Sequence, residues 1–98
     1  MIVLNALYKR PSDEAVFMEY YEATHMPLAM STPGLIRAQA EKVSVVFKGE
    51  DYFMLARLYF PNQEVFDVAM KSPENRAVGK DLANFAQAGV ELFVTATQ

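Results

Sequence analysis

Tyr52-Phe53-Met54-Leu55-Ala56-Arg57-Leu58-Tyr59-Phe60 is the stretch that decides the fold. It is aromatic or aliphatic at nearly every position, Pro61 stops it, and it reads as a strand. Met54, Ala56, Leu58 and Phe60 fall on one face, and Phe53, Leu55, Arg57 and Tyr59 on the other. An antiparallel sheet that is wet on one side alternates apolar with polar residues. This strand does not, so both of its faces need cover.

Upstream, Gly49-Glu50-Asp51 reads as a short turn, and Leu35 to Lys48, rich in Val toward its end, as a long second strand. So short a connection predicts an antiparallel hairpin. Pro33-Gly34 is a turn signal. Ser12 reads as the N-cap of a helix from about Asp13 to Thr24, with Asp13 and Glu14 near its positive end. Phe17, Tyr20, Tyr21 and Thr24 form its buried stripe, and Pro27 disturbs its far end. Ile2 to Tyr8 is the first strand. Downstream, Asn62 caps a short helix from about Gln63 to Lys71. Ser72-Pro73-Glu74 opens another, striped with Val78, Leu82, Phe85 and Ala86. Gly89 follows, and Val90 to Ala96 alternates as the last strand.

The order β-α-β-β-(α,α)-β predicts one ferredoxin-like α+β domain over residues 1–98, with an antiparallel sheet arranged 4-1-3-2 and the helices on one face. Val90, Leu92, Val94 and Ala96 suit the helix side. The simplest cover for the other face is a second copy, which gives a dimeric α+β barrel enclosing a cavity between two sheets. Asn5, Arg57 and Glu91 are the polar residues expected there, with Gln39 and Glu41 as further contributors. They either meet a ligand or hold the sheet and the interface together, and Arg57 is expected beside a carboxylate.

Composition fits this reading. Of the 98 residues, 52% are hydrophobic, more than a small monomer hides easily. The chain has no cysteine, which excludes disulfides and thiolate metal sites. A net charge of −3 without a basic run argues against nucleic acid and anionic membrane surfaces. The N-terminal residues lack the pattern of a secretory signal, and no apolar stretch is long enough to span a membrane, so a cytoplasmic protein is expected.

Tyr8-Lys9-Arg10-Pro11, the run from Phe17 through Tyr20-Tyr21-Glu22-Ala23-Thr24-His25-Met26-Pro27-Leu28-Ala29, and Pro33-Gly34-Leu35 together resemble the EthD family. The Arg57-Leu58-Tyr59-Phe60 strand, the Ser72-Pro73-Glu74 helix start and the Asp81-Leu82 run with Phe85 look like its second half. The resemblance covers nearly the whole chain. It implies a dimeric α+β barrel similar in shape to cofactor-free monooxygenases, polyketide cyclases, muconolactone-type isomerases and haem-degrading enzymes. Shape alone does not establish chemistry.

His25 is the single histidine and matches the family's histidine position. It suits proton transfer to or from a phenol or enol, or else it caps the C-terminus of the first helix. Tyr21, one turn earlier, is the expected hydroxyl partner, with Tyr20 beside it. Tyr8 and Tyr52 have weaker claims on a ligand. Lys9-Arg10 either attracts an anion or forms a solvated edge. One histidine without cysteine cannot supply the usual zinc or non-haem iron set. No phosphate-binding loop occurs, so no metal or nucleotide cofactor is expected; haem on a lone histidine is a minor alternative. The sequence thus predicts a homodimer that binds a small apolar or aromatic compound. It is either a cofactor-free monooxygenase, cyclase, isomerase or decarboxylase using His25, or a non-catalytic accessory protein of a degradation pathway.

Overall fold

The computed structural model describes residues 1–97. Its elements are β1 (Ile2–Lys9), α1 (Glu14–Tyr20), a π turn (Tyr21–His25), α2 (Met26–Met30), β2 (Arg37–Lys42), β3 (Tyr52–Phe60), α3 (Gln63–Met70), α4 (Pro73–Phe85) and β4 (Val90–Ala96). The strands form one antiparallel sheet in the order β2-β3-β1-β4, which is the expected ferredoxin-like α+β arrangement.

Register sorts the residues between the two faces. Ile2, Leu4, Ala6 and Tyr8 stand opposite Phe60, Leu58, Ala56 and Met54 on one side, and opposite Ala96, Val94, Leu92 and Val90 on the other. These residues face the helices, where Tyr8, Phe17, Tyr21, Met54 and Phe85 form one core cluster. Leu58, Phe60, Phe66, Ala69 and Val78 form a second. Burial of one such large side chain contributes about 1.5–3 kcal/mol.

Capping explains where the helices begin. Asn62 accepts from the Val65 N–H at 3.0 Å, and Ser72 accepts from the Asn75 N–H at 3.1 Å with Pro73 next in line. The first helix is capped by Asp13, which accepts from the Val16 N–H at 3.1 Å, rather than by Ser12.

Four expectations are corrected. First, the helix does not fail before Pro27. It runs from Glu14 to Met30 with right-handed helical torsions at every junction, because its turn widens: the Met26 N–H donates to the Tyr21 carbonyl, five residues back. A proline ring clashes with the carbonyl four residues back, and a widened turn is where a helix absorbs such a defect. Second, β2 ends at Lys42, and the connection to β3 is nine residues long. Valines 43, 45 and 46 have strand propensity but no partner, because the Asp51 carbonyl accepts from the Arg10 N–H at 3.0 Å and the Arg10 guanidinium holds its carboxylate. Third, Phe53 does not share a face with Leu55. The pairing slips between Tyr8 and Lys9, so Phe53 is an extra residue and packs edge-on against Phe17 at 5.4 Å on the helix side. Fourth, β4 faces the helices as expected, but they leave it largely uncovered: Leu92 is 55% and Val94 50% exposed.

Candidate functional site

His25 closes the π turn, inside a continuous helix, so it caps no helix end. Its ring is buried among aromatic neighbours, with the Phe85 ring at 4.5 Å and Tyr21 at 5.7 Å. Nδ1 lies 2.9 Å from Oδ2 of Asp81 on α4. The other carboxylate oxygen accepts from the Tyr20 hydroxyl at 2.6 Å and from the Asn84 amide at 3.0 Å. Asp81 is buried too, yet every one of its near partners is a donor or the imidazole. Burial by itself would raise its pKa; the hydrogen bonds from Tyr20, Asn84 and His25 outweigh that and hold it below the usual carboxylate range.

A carboxylate only accepts, so Nδ1 carries the proton and donates. The lone pair of the neutral ring is then on Nε2, which lies 3.5 Å from the hydroxyl of Tyr8 on β1. Burial pushes the His25 pKa down, and Asp81 pulls it partly back. Burial first, and the charge of Asp81 after it, drive the Tyr8 hydroxyl far above its usual range, and burial pushes Tyr21 up to about 12. The site therefore holds a neutral base beside two neutral phenols. The Asp81 carboxylate behind the base stabilises an imidazolium when one forms.

These groups meet at a cavity of about 170 Å³ between the helical face of the sheet and α4. Leu4, Ala6, Ala56, Leu58, Val78 and Leu82 make most of its wall, and Tyr8, Tyr21, His25 and Asn75 supply the polar atoms. The cavity thus lies inside one subunit, not between two sheets.

The sheet divides the candidate residues. Tyr8, Tyr21 and His25 come together on the helix side. Asn5, Arg57 and Glu91 lie on the opposite face. There Arg57 Nε donates to Asn5 Oδ1 at 3.1 Å, and the Asn5 amide donates to Thr95 Oγ1 at 3.1 Å. Arg57 thus meets an amide, not the carboxylate expected for it. Glu91 accepts from the Tyr52 hydroxyl at 2.9 Å near the end of β1. Tyr59 lies between the guanidinium groups of Arg37 and Arg57, at 4.1 and 5.4 Å, and donates to Gln39. The hydroxyl facing Nε2 belongs to Tyr8; Tyr21 contributes its ring to the wall. Among the described residues no His, Asp, Glu or Cys side chains gather into a group that would hold a metal ion.

The EthD domain model matches residues 9–89, which include every element from the end of β1 through α4. This chain belongs to the EthD family. An uncharacterized 11.0 kDa protein from the thcB–thcC intergenic region of Rhodococcus erythropolis is 34% identical over 96 residues, covering 97% of this EthD chain and 93% of the relative. The crystal structure of an EthD family protein from Bacillus halodurans has a TM-score of 0.90 at 31% identity, covering 100% of this chain and 99% of the other. A dimeric ferredoxin-like protein of unknown function from Thermobifida fusca shares the fold, with a TM-score of 0.71 at 16% identity over 98% of this chain and 90% of its own.

The sequence reading singled out His25 but missed Asp81, which orients it. A signal for Asp81 was present. It stands three residues after Val78 and four before Phe85, so it falls on the apolar stripe of α4. A carboxylate on a buried stripe requires a partner.

Proposed function

We propose that this EthD protein binds a small, largely apolar, weakly acidic compound in the cavity between sheet and helices, and that His25 Nε2 takes a proton from its hydroxyl or activated C–H group. The observation that carries this reading is the buried imidazole whose Nδ1 is fixed on Asp81 while Nε2 faces Tyr8 and the cavity. In the step itself the O–H or C–H bond breaks, the proton goes to Nε2, and the electron pair stays on the ligand as a phenolate or enolate. Tyr8 is placed to donate a hydrogen bond to that developing charge. Cyclisation, isomerisation, decarboxylation and oxygenation without a cofactor all pass through such an anion.

The working unit is a homodimer joined through the sheet face away from the helices. Phe93 on that face is 43% exposed, while Asn5, Arg57 and Tyr59 form a flat polar and aromatic surface beside it.

4-Nitrophenol tests the proton transfer, since its nitro group makes the phenol acidic enough to compete with a neutral imidazole. Binding to the wild-type protein is expected to bring up the nitrophenolate absorbance below the pH at which free 4-nitrophenol ionises. His25→Gln is expected to abolish that change. The same spectral change in the variant would refute the role of His25. The network also ties the first helix to α4, which favours a second reading in which His25 only pins the fold around a passive binding cavity. In that case His25→Gln lowers stability and leaves the nitrophenol spectrum as in the wild type.

A further inference from the structure

Gly79 stands in the middle of α4, a helix running from Pro73 to Phe85, and lines the cavity at an exposed position. Glycine is a poor helix former, so an interior glycine needs a reason. The backbone supplies none, because Gly79 is not among the glycines with positive φ. Packing supplies none either: a Cβ placed there meets nothing within 4 Å. Gly34 is the contrast, with positive φ and the side chain of Val65 pressed against the place where a Cβ would be.

The place of Gly79 in the helix shows what the missing side chain leaves open. Asn75, four residues earlier, and Leu82, three residues later, share its helix face, and both line the cavity. A side chain at 79 would therefore stand on the rim. Across the opening is Leu92 of the uncovered β4 strand, 55% exposed. The cavity of about 170 Å³ is close in size to the roughly 150 Å³ apolar cavity that accepts one benzene ring. A larger ligand must pass out between α4 and β4, beside Gly79. None of the described residues that line the cavity is Lys, Arg, Asp or Glu. An anionic ligand would enter without a counter-charge, at a high desolvation cost.

We propose that Gly79 determines ligand size. By withholding a side chain at the rim, it lets a neutral phenol or enol place its hydroxyl at His25 and extend a second ring or chain outward between α4 and β4. This rests on the reading of His25 as the group that meets the ligand hydroxyl.

The test uses 4-nitrophenol as the one-ring probe and 2-naphthol as the two-ring probe, titrated into wild type, Gly79→Ala and Gly79→Leu. Wild type is expected to bind both. Gly79→Ala is expected to raise Tm by roughly 4 °C, since the helix gains and nothing is displaced. Gly79→Leu is expected to weaken 2-naphthol about tenfold or more while leaving 4-nitrophenol within about twofold. The inference is overturned if Gly79→Leu binds 2-naphthol as wild type does, if it loses both probes equally, or if Gly79→Ala lowers Tm. If wild type binds neither phenol, or His25→Gln retains the nitrophenolate signal, the proton-transfer reading itself has failed and the role of Gly79 falls with it.

Discussion

Asp81→Asn changes one atom type and inverts the site. Oδ1 of Asp81 accepts from both Tyr20 and Asn84, and Oδ2 faces His25 Nδ1 at 2.9 Å. In the asparagine variant the amide oxygen keeps the first two partners, so the amide nitrogen is left facing the imidazole. An amide nitrogen donates; His25 must then carry its proton on Nε2 and present a donor where it had a lone pair. Hydrogen bonds to a charged group contribute about 1 kcal/mol more than neutral ones, so losing the charge from three bonds costs about 2–3 kcal/mol. For a domain of this size that is a fall in Tm of roughly 10–20 °C. The same change removes a general base, a contribution on the order of 10²–10⁴ in rate. Nitrogen NMR of the imidazole in the folded variant reports the tautomer directly, and urea denaturation reports the stability. An unchanged tautomer, with the nitrophenolate signal intact, would refute the derivation.

Two further outcomes follow from the same geometry. The His25 pKa is lowered in the fold, so the unfolded chain binds a proton first as pH falls. Stability present above pH ~6.5 is therefore expected to erode below it, and the lowered pKa of Asp81 extends that loss as pH falls through the carboxylate range. Urea midpoints measured from pH 8 down to pH 4 check this, and a flat profile would sink it. Phe93→Asp places a charge in the exposed sheet face away from the helices. It is expected to convert the dimer to a folded monomer by light scattering, and a persisting dimer would mean that another surface joins the copies.

Much of the fold was legible because local signals agreed with one another. Pro61 with Asn62 and Ser72 with Pro73 marked element boundaries, and β3, apolar on both faces, called for layers on both of its sides. What stayed illegible depended on partners distant in sequence. Val43, Val45 and Val46 have the composition of a strand, but a strand needs a neighbour, and Arg10 draws Asp51 away. The bulge at Phe53 arises from a slip in pairing, which no single strand encodes. His25 was legible as a reactive residue; its orienting carboxylate lies 56 residues away on another helix. The cavity was misplaced for the same kind of reason. The apolar face away from the helices suggested an enclosure between two copies, whereas the incomplete cover of β4 opens one within a single subunit.

The widened turn at Tyr21–His25 also sets where the chain tolerates a change of length. Each residue of an α-helix advances the direction of its side chain by about 100°. Deleting one residue there would close the turn to ordinary α spacing and rotate the downstream helix by that amount, carrying Ala29 out of the core and leaving Tyr21 and His25 on different faces. The nine-residue connection between β2 and β3 has no such constraint, because exposed residues such as Phe47 make it up. Variation in length among related chains belongs in that connection, while the count of residues from Phe17 to Ala29 stays fixed.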